Sequence, residues 1–330
     1  MSHLIRGLGA SGGIRVVAAD TTELVRHATE KHATSPTAGA ALGRTLTGAL
    51  LLSHVLLKHH RDRVTVKLRG DGPLGGVIAD AGLDGTVRGY VSNPHADLPL
   101  RPDGKLDVGG GVGHVGEISV IRAHAPYGEP YGSSSDLVSG EIAEDIATYL
   151  ARSEQIASAL LLGVHFDAKG RVTSSGGVIL QALPGADEAA LPLLEANIKA
   201  LGQLTSAMHR APLTDIVRNE LMWGMDFEIL TDPPLQLRFA CRCSEEKALE
   251  ALAYFTPAER AAMIAEDGGA EIVCHWCGDK RWLGPEAILG ISSNEVRCPD
   301  CATLWFRDGQ TRMVREQELC ACGRKVELPN

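Results

Sequence analysis

Residues 241–277 read CRCSEEKALEALAYFTPAERAAMIAEDGGAEIVCHWC, a stretch that opens on Cys241-Arg242-Cys243 and closes on Cys274-His275-Trp276-Cys277. Two further close pairs follow, Cys298-Pro299-Asp300-Cys301 and Cys320-Ala321-Cys322, and together these hold all eight cysteines of the 330-residue chain. No thiol precedes residue 241, and random scatter would not leave 240 positions empty before filling four close pairs. The two thiolates of a close pair grip one soft cation from a single tight turn, and two pairs complete the tetrahedron of sulfurs that zinc prefers. Pairing in chain order gives a first site from Cys241, Cys243, Cys274 and Cys277, and a second from Cys298, Cys301, Cys320 and Cys322.

The gap inside the first site, residues 244–273, spans thirty residues. That is longer than in an ordinary ribbon or finger, so the site is expected to close around an inserted structured segment. Within it Ser244 to Ala253 reads as a helix, and Thr256-Pro257-Ala258-Glu259 opens another with a capping-box pattern. The second set, with eighteen residues between its pairs, lies near the spacing of a zinc ribbon, one knuckle being a residue short. Thr303–Phe306 and Thr311–Val314 are expected to form its hairpin.

A disulfide framework is the competing reading, and it suits a small secreted domain. Met1 to Asp20 has no apolar core and no cleavage site of a secretory signal, so the expectation is a soluble, cytoplasmic protein whose clustered thiols hold metal. A thioredoxin-like redox pair needs a helix beginning at its first cysteine, and Gly278-Asp279 directly after Cys277 argue against one. His275 is expected to face solvent or stack, and Trp276 and Trp282 to pack the module. Spacing alone favours a purely structural zinc site.

Composition narrows the classes. Hydrophobic residues make up 44% but aromatics only 4%, so the core must be built from Ala, Leu, Val and Ile. A net charge of -9 argues against a broad nucleic-acid surface, because affinity for phosphate backbones rests on clustered Lys and Arg. In the tail, Arg297, Arg307, Arg312, Arg315, Arg324 and Lys325 are balanced in part by Asp300, Asp308, Glu316, Glu318 and Glu327. The most apolar stretch, Ala38 to Leu57, is interrupted by Arg44 and His54, and reads as a buried helix with no membrane span.

Upstream, residues 14–19 read as a strand, Thr21 or Thr22 as the cap of a helix over 23–32, and Pro36 as the first residue of a long helix to Lys58. His59 and His60 follow as a solvated helix end. Residues 64–68, 76–80 and 86–91 form a meander with Gly-rich turns. Gly111-Val112-Gly113-His114-Val115-Gly116 fits G-x-G-x-x-G but runs into an alternating strand at 117–122, so it predicts a flexible hairpin rather than a dinucleotide site. A helix is expected over 139–153, strands over 164–166 and 177–181, helices over 187–210 and 212–222, and extended segments over 227–230 and 235–239. The expected class is α+β: a mixed β-sheet N-terminal domain with packed helices over 1–186, a helical and extended linker over 187–240, a zinc-binding module over 241–290 and a small zinc-ribbon-like tail over 291–330.

The arrangement FACRCS at 239–244, the thirty-residue gap and EIVCHWCG at 271–278 resembles the redox-regulated heat-shock protein 33 family of holdase chaperones. RGDGPLGG at 69–76, SGEIAEDIATYLARSEQ at 139–155 and GGVILQALPGA at 176–186 resemble that family's N-terminal domain, in order and at fitting distances, so the likeness covers about residues 14–290. The resemblance implies a non-enzymatic, ATP-independent chaperone for unfolded proteins under stress, held off by a reduced zinc centre on Cys241, Cys243, Cys274 and Cys277. It further implies that oxidation converts the pairs 241/243 and 274/277 to disulfides, releases zinc, unfolds the linker and gives a client-binding form, typically a homodimer. Past residue 290 the chain departs from the family pattern. The second set, Cys298, Cys301, Cys320 and Cys322, is expected to hold a second, structural zinc. A zinc-ribbon nucleic-acid binder and a thiol oxidoreductase are the alternatives.

Overall fold

A computed structural model describes residues 1–124, 129–291, 295–297 and 304–306. The chain divides between Cys241 and Arg242 into two compact units. The fold is α+β, with ten α-helices and several sheets among the described residues.

The first unit is built around α2 (Pro36–Leu56). Ser35 begins it, its hydroxyl accepting the Ala38 N–H at 3.2 Å, and Pro36 takes the first turn, where a missing N–H costs nothing. Seventeen of its 21 residues are buried, as expected of a helix apolar on every side. Sheets cover it on both sides. The first sheet runs β10 (Phe227–Ile229), β1 (His3–Gly9), β2 (Ile14–Asp20), β9 (Val172–Ala182) and β8 (Ser158–Phe166), with β11 (Leu235–Gln236) also on β1. The second runs β12 (Arg238–Phe239), β5 (Thr86–Val91), β4 (Val77–Gly82), β3 (Arg63–Gly70), β6 (Gly116–Ala123) and β7 (Tyr131–Asp136).

Alternation along β2 explains why its middle, Val16 to Ala19, is apolar at every position. Val17 and Ala19 face the α2 core, while Ile14, Val16 and Ala18 face a second core. That second core is closed by α5 (Ala190–Leu201), α6 (Leu204–Met208) and α7 (Leu213–Ile216), the last continued by a wide turn over Val217–Leu221. Residues 187–210, expected as one helical stretch, divide at Gly202, whose φ of +67° lies in the left-handed region.

Several expectations change at this level. Helix α1 (Thr22–His32) is not capped by the Thr21 hydroxyl, which is buried and bonds Thr47 and Ser175 at 2.7 and 2.9 Å. Asp20 takes the Thr22 amide instead. Helix α4 (Ala143–Ser153) begins four residues later than its sequence suggests, because the buried Asp145 carboxylate accepts the amides of Val138, Ser139, Gly140 and Ile142 and holds them as a loop. The G-x-G-x-x-G segment is no flexible hairpin. Val108–Val112 is a short helix (α3), and Gly113, at φ +95°, lets the chain lie against Asp71 and Gly72 before entering β6.

In the second unit α8 (Glu245–Leu252), α9 (Pro257–Asp267) and α10 (Pro285–Leu289) accompany the hairpin β13 (Ala270–Val273) and β14 (Lys280–Leu283). The capping box is present: Thr256 Oγ1 accepts the Glu259 amide, and Glu259 accepts the Thr256 amide. Its described apolar cluster has only four buried residues, Ala248, Leu252, Leu283 and Ile288. Glu295–Arg297 (β15) pairs with Leu304–Phe306 (β16). The expected partner at 311–314 lies outside the described residues.

Candidate metal centre

The C-x-x-C pair sits in the connection of the β13–β14 hairpin. Cys274 N–H donates to Asp279 O at 2.9 Å, and the amides of Cys277 and Gly278 turn back to Cys274 O at 3.3 and 2.7 Å. Gly278 has φ +71°, the left-handed conformation that closes the turn. No helix begins at Cys274, so the ground for a thioredoxin-like pair is absent. The C-x-C pair arrives from the other direction, directly before Ser244, whose hydroxyl caps α8.

Sequence separation vanishes in the fold. The sulfurs of Cys241, Cys243, Cys274 and Cys277 all lie within 4.8 Å of one another, and Cys243 Sγ stands 3.6 Å from Cys277 Sγ. None of the four is disulfide-bonded. A tetrahedron with metal–sulfur distances near 2.3 Å has edges of about 3.8 Å, so the donor set fits a tetrahedral soft cation. Cys277 is buried and the other three are half-buried.

Arg281, on β14, was not singled out by its sequence context. The bond it makes to the Cys243 sulfur, with the negative charge there and on Asp279 and Glu245, raises its pKa above the ordinary arginine value. A fixed cation beside a thiolate offsets the net negative charge that four thiolates place around a divalent ion. Only position relative to the knuckle, two residues past Asp279 on an alternating strand, could have indicated it.

His275 is exposed, as expected, and Trp276 is half-buried. Trp282 departs from its expected packing role: it lies over Gly269 but remains 59% exposed. Cys298, Cys301, Cys320 and Cys322 lie outside the described residues. No described helix is long and apolar enough to cross a membrane.

Residues 2–282 match the family model described as Hsp33 protein. A 33 kDa chaperonin of Thermus thermophilus is 51% identical, covering 100% of this chain and 98% of that protein. The 33 kDa chaperonin of Deinococcus radiodurans is 45% identical, covering 89% of this chain and 99% of its own length. The contrast concerns the tail: the Thermus match extends over it, whereas the family model ends at residue 282. Among solved structures, the crystal structure of the 33 kDa chaperonin of Thermotoga maritima superposes with a TM-score of 0.78 at 33% identity, covering 88% of this chain and 97% of that one. These relatives are named as chaperonins, not as enzymes. With the family model spanning the first unit and both cysteine pairs of the described centre, and with that centre at the position the sequence indicates, the chain belongs to the Hsp33 family of chaperones.

Proposed function

We propose that the protein is a redox-regulated, ATP-independent holdase of the cytoplasm, inactive while Cys241, Cys243, Cys274 and Cys277 hold one zinc ion as thiolates. The observation that carries the proposal is the convergence of those four sulfurs within 4.8 Å, in a module whose apolar cluster among the described residues has four buried members. A bound zinc ion would supply folding free energy to the module, on the order of 10 to 16 kcal/mol in small zinc peptides. So few buried side chains do not replace it.

Oxidation then acts on the ligands themselves. In each of the pairs 241/243 and 274/277, two thiolates give up two electrons and an S–S bond forms; one hydrogen peroxide accepts those electrons together with two protons from solvent, its O–O bond breaks and two waters leave. The sulfurs cease to be ligands and the module loses its support. The domain scheme that goes with this reading is a chaperone domain over 1–186, a releasable linker over 187–240, the switch module over 241–290 and a ribbon over 291–330 that holds a second, structural zinc. The oxidised form binds unfolding proteins as a homodimer.

The test is peroxide treatment under mild unfolding stress, following zinc release, thiol count and aggregation of a client together. Loss of about one zinc with four thiols, coincident with suppression of aggregation, is expected. Zinc-free, oxidised protein that fails to suppress aggregation would sink the proposal. Loss of both metals would instead make the tail part of the sensor.

A further inference from the structure

One short segment covers one edge of each sheet of the first unit, on β1 and on β5, while β8 and β7 stand at the other edges. Strands β10 and β11 pair with β1, and β12 runs parallel to β5. Without that segment, β1 and β5 would each present unpaired amides and carbonyls along their outer side, a template for any extended chain. Main-chain bonds hold it in place: Leu230 N–H to Arg6 O at 2.8 Å, Leu237 to Ser2 O at 3.0 Å, Arg238 to Gly85 O at 3.0 Å and Ala240 to Val87 O at 2.9 Å.

Such bonds read no sequence, so selection falls to the side chains. Leu235, Leu237 and Phe239 all join the core around α2, while Gln236 and Arg238 between them are exposed. Phe239 is met edge-on by the rings of His27 and His32, at 5.9 and 6.2 Å between centroids. The segment is therefore recognised as a backbone with large apolar groups at alternate positions. It ends one residue before Cys241.

We infer that Leu235–Phe239 and the strand before it occupy the client site as an internal stand-in, and that the vacated edges of β1 and β5 bind extended, non-native polypeptide by strand addition. The inference rests on the holdase reading and specifies what is held: stretches with large apolar side chains at every second position. A half-buried strand of an unfolding protein has that pattern and exposes it only when its own sheet opens. Folded proteins, whose strands are already paired, are passed over.

The test uses the full chain, oxidised until it suppresses aggregation of a heat-labile enzyme, malate dehydrogenase. Two synthetic peptides with the sequence of residues 227–240 compete with that client: one unmodified, one N-methylated at the positions of Leu230, Leu237, Arg238 and Ala240. The unmodified peptide is expected to abolish suppression, and the methylated one to be at least about tenfold weaker, because it lacks the four donors. In parallel, amide exchange over residues 2–9 and 86–91 should quicken on oxidation and slow again when client is bound.

Equal potency of the two peptides, or no effect of either while suppression persists, overturns the inference and leaves the holdase reading standing. Edges that become protected without client, together with a concentration-dependent doubling of mass, assign them to a second copy and also overturn it. Oxidised protein that suppresses nothing defeats both readings.

Discussion

Cys243 and Cys277 stand sulfur to sulfur at 3.6 Å although 34 positions separate them in the chain. The distance is far longer than a disulfide bond, about 2.05 Å, and close to the edge of a metal–thiolate tetrahedron. Two segments distant in sequence are thus presented to one point, and on the proposed reading the structure between them depends on the metal held there.

Cys277→Ser tests that dependence. A hydroxyl is a poor ligand for a soft cation, and Cys277 is only 2% exposed, so the substitution is expected to lower zinc affinity by orders of magnitude. Metal content after dialysis should fall, and limited proteolysis should open residues 242–291 while residues 1–186 stay resistant. A variant that keeps its zinc and its protease resistance contradicts the assignment.

The capping box makes a graded version of the same experiment. Removing the Thr256 hydroxyl by Thr256→Ala frees the Glu259 amide and costs about 1 kcal/mol of helix stability. Because folding of the module and metal binding are linked, the apparent zinc affinity should weaken roughly fivefold. Competition with a chromogenic chelator measures it; an unchanged affinity would mean that the module folds without help from the metal.

Asp80 anchors the second sheet. Its buried carboxylate accepts Arg63 Nη2 and Nε at 2.8 and 3.1 Å, Arg88 Nε at 3.2 Å and Thr65 Oγ1 at 3.2 Å. Asp80→Ala takes from the buried Arg63 guanidinium its nearest carboxylate, leaving it Thr86 Oγ1 at 2.7 Å, the main-chain carbonyl of residue 80 and the Asp84 carboxylate at 3.4 Å, and is expected to cost about 3 kcal/mol, read as a shift in the urea midpoint of the first unit. Arg63→Met combined with Asp80→Leu should cost markedly less, since the buried guanidinium goes with its partner. A shift below about 1 kcal/mol for Asp80→Ala would show that solvent already reaches the site.

His54 gives the first unit an acid sensitivity. Burial, with the Arg6 charge adding to it, pushes its pKa down from 6.5 to about 4, and neither ring nitrogen has a hydrogen-bond partner. Between those values the unfolded chain binds a proton that the native state refuses. Stability is therefore full above pH 6.5 and falls as pH drops toward 4, by at most roughly 3 kcal/mol from this residue. In thermal melts across that window, His54→Leu should flatten the dependence; an unchanged slope would assign it to other groups.

Much of this was legible in the sequence wherever the cause is local. Pro36 and the hydroxyl before it start α2, Thr256 and Glu259 start α9, and both features sit within four residues of the helix they serve. The cysteine pairs announced their chemistry in the same way. Thr21 shows where local reasoning fails: a residue suited to cap a helix is drawn into a buried hydroxyl cluster with Thr47 and Ser175, partners 26 and 154 positions away. Strand β1, HLIRGLG, lacks a clean alternation and was not expected from sequence, yet it holds β2 on one side and the segment before the cysteines on the other.

The four-sulfur donor set, the places where most helices begin and the two-faced apolar strands follow from local sequence, because ligand type, caps and periodicity act over a few residues. Tertiary structure alone decided that β1 and β5 are closed by the chain's own segment 227–239, and that Arg281 stands against Cys243. The reason is that a strand's two edges offer the same amides and carbonyls to any partner. Which partner arrives is set by the packing of Leu235, Leu237 and Phe239 into a core assembled from the far end of the chain.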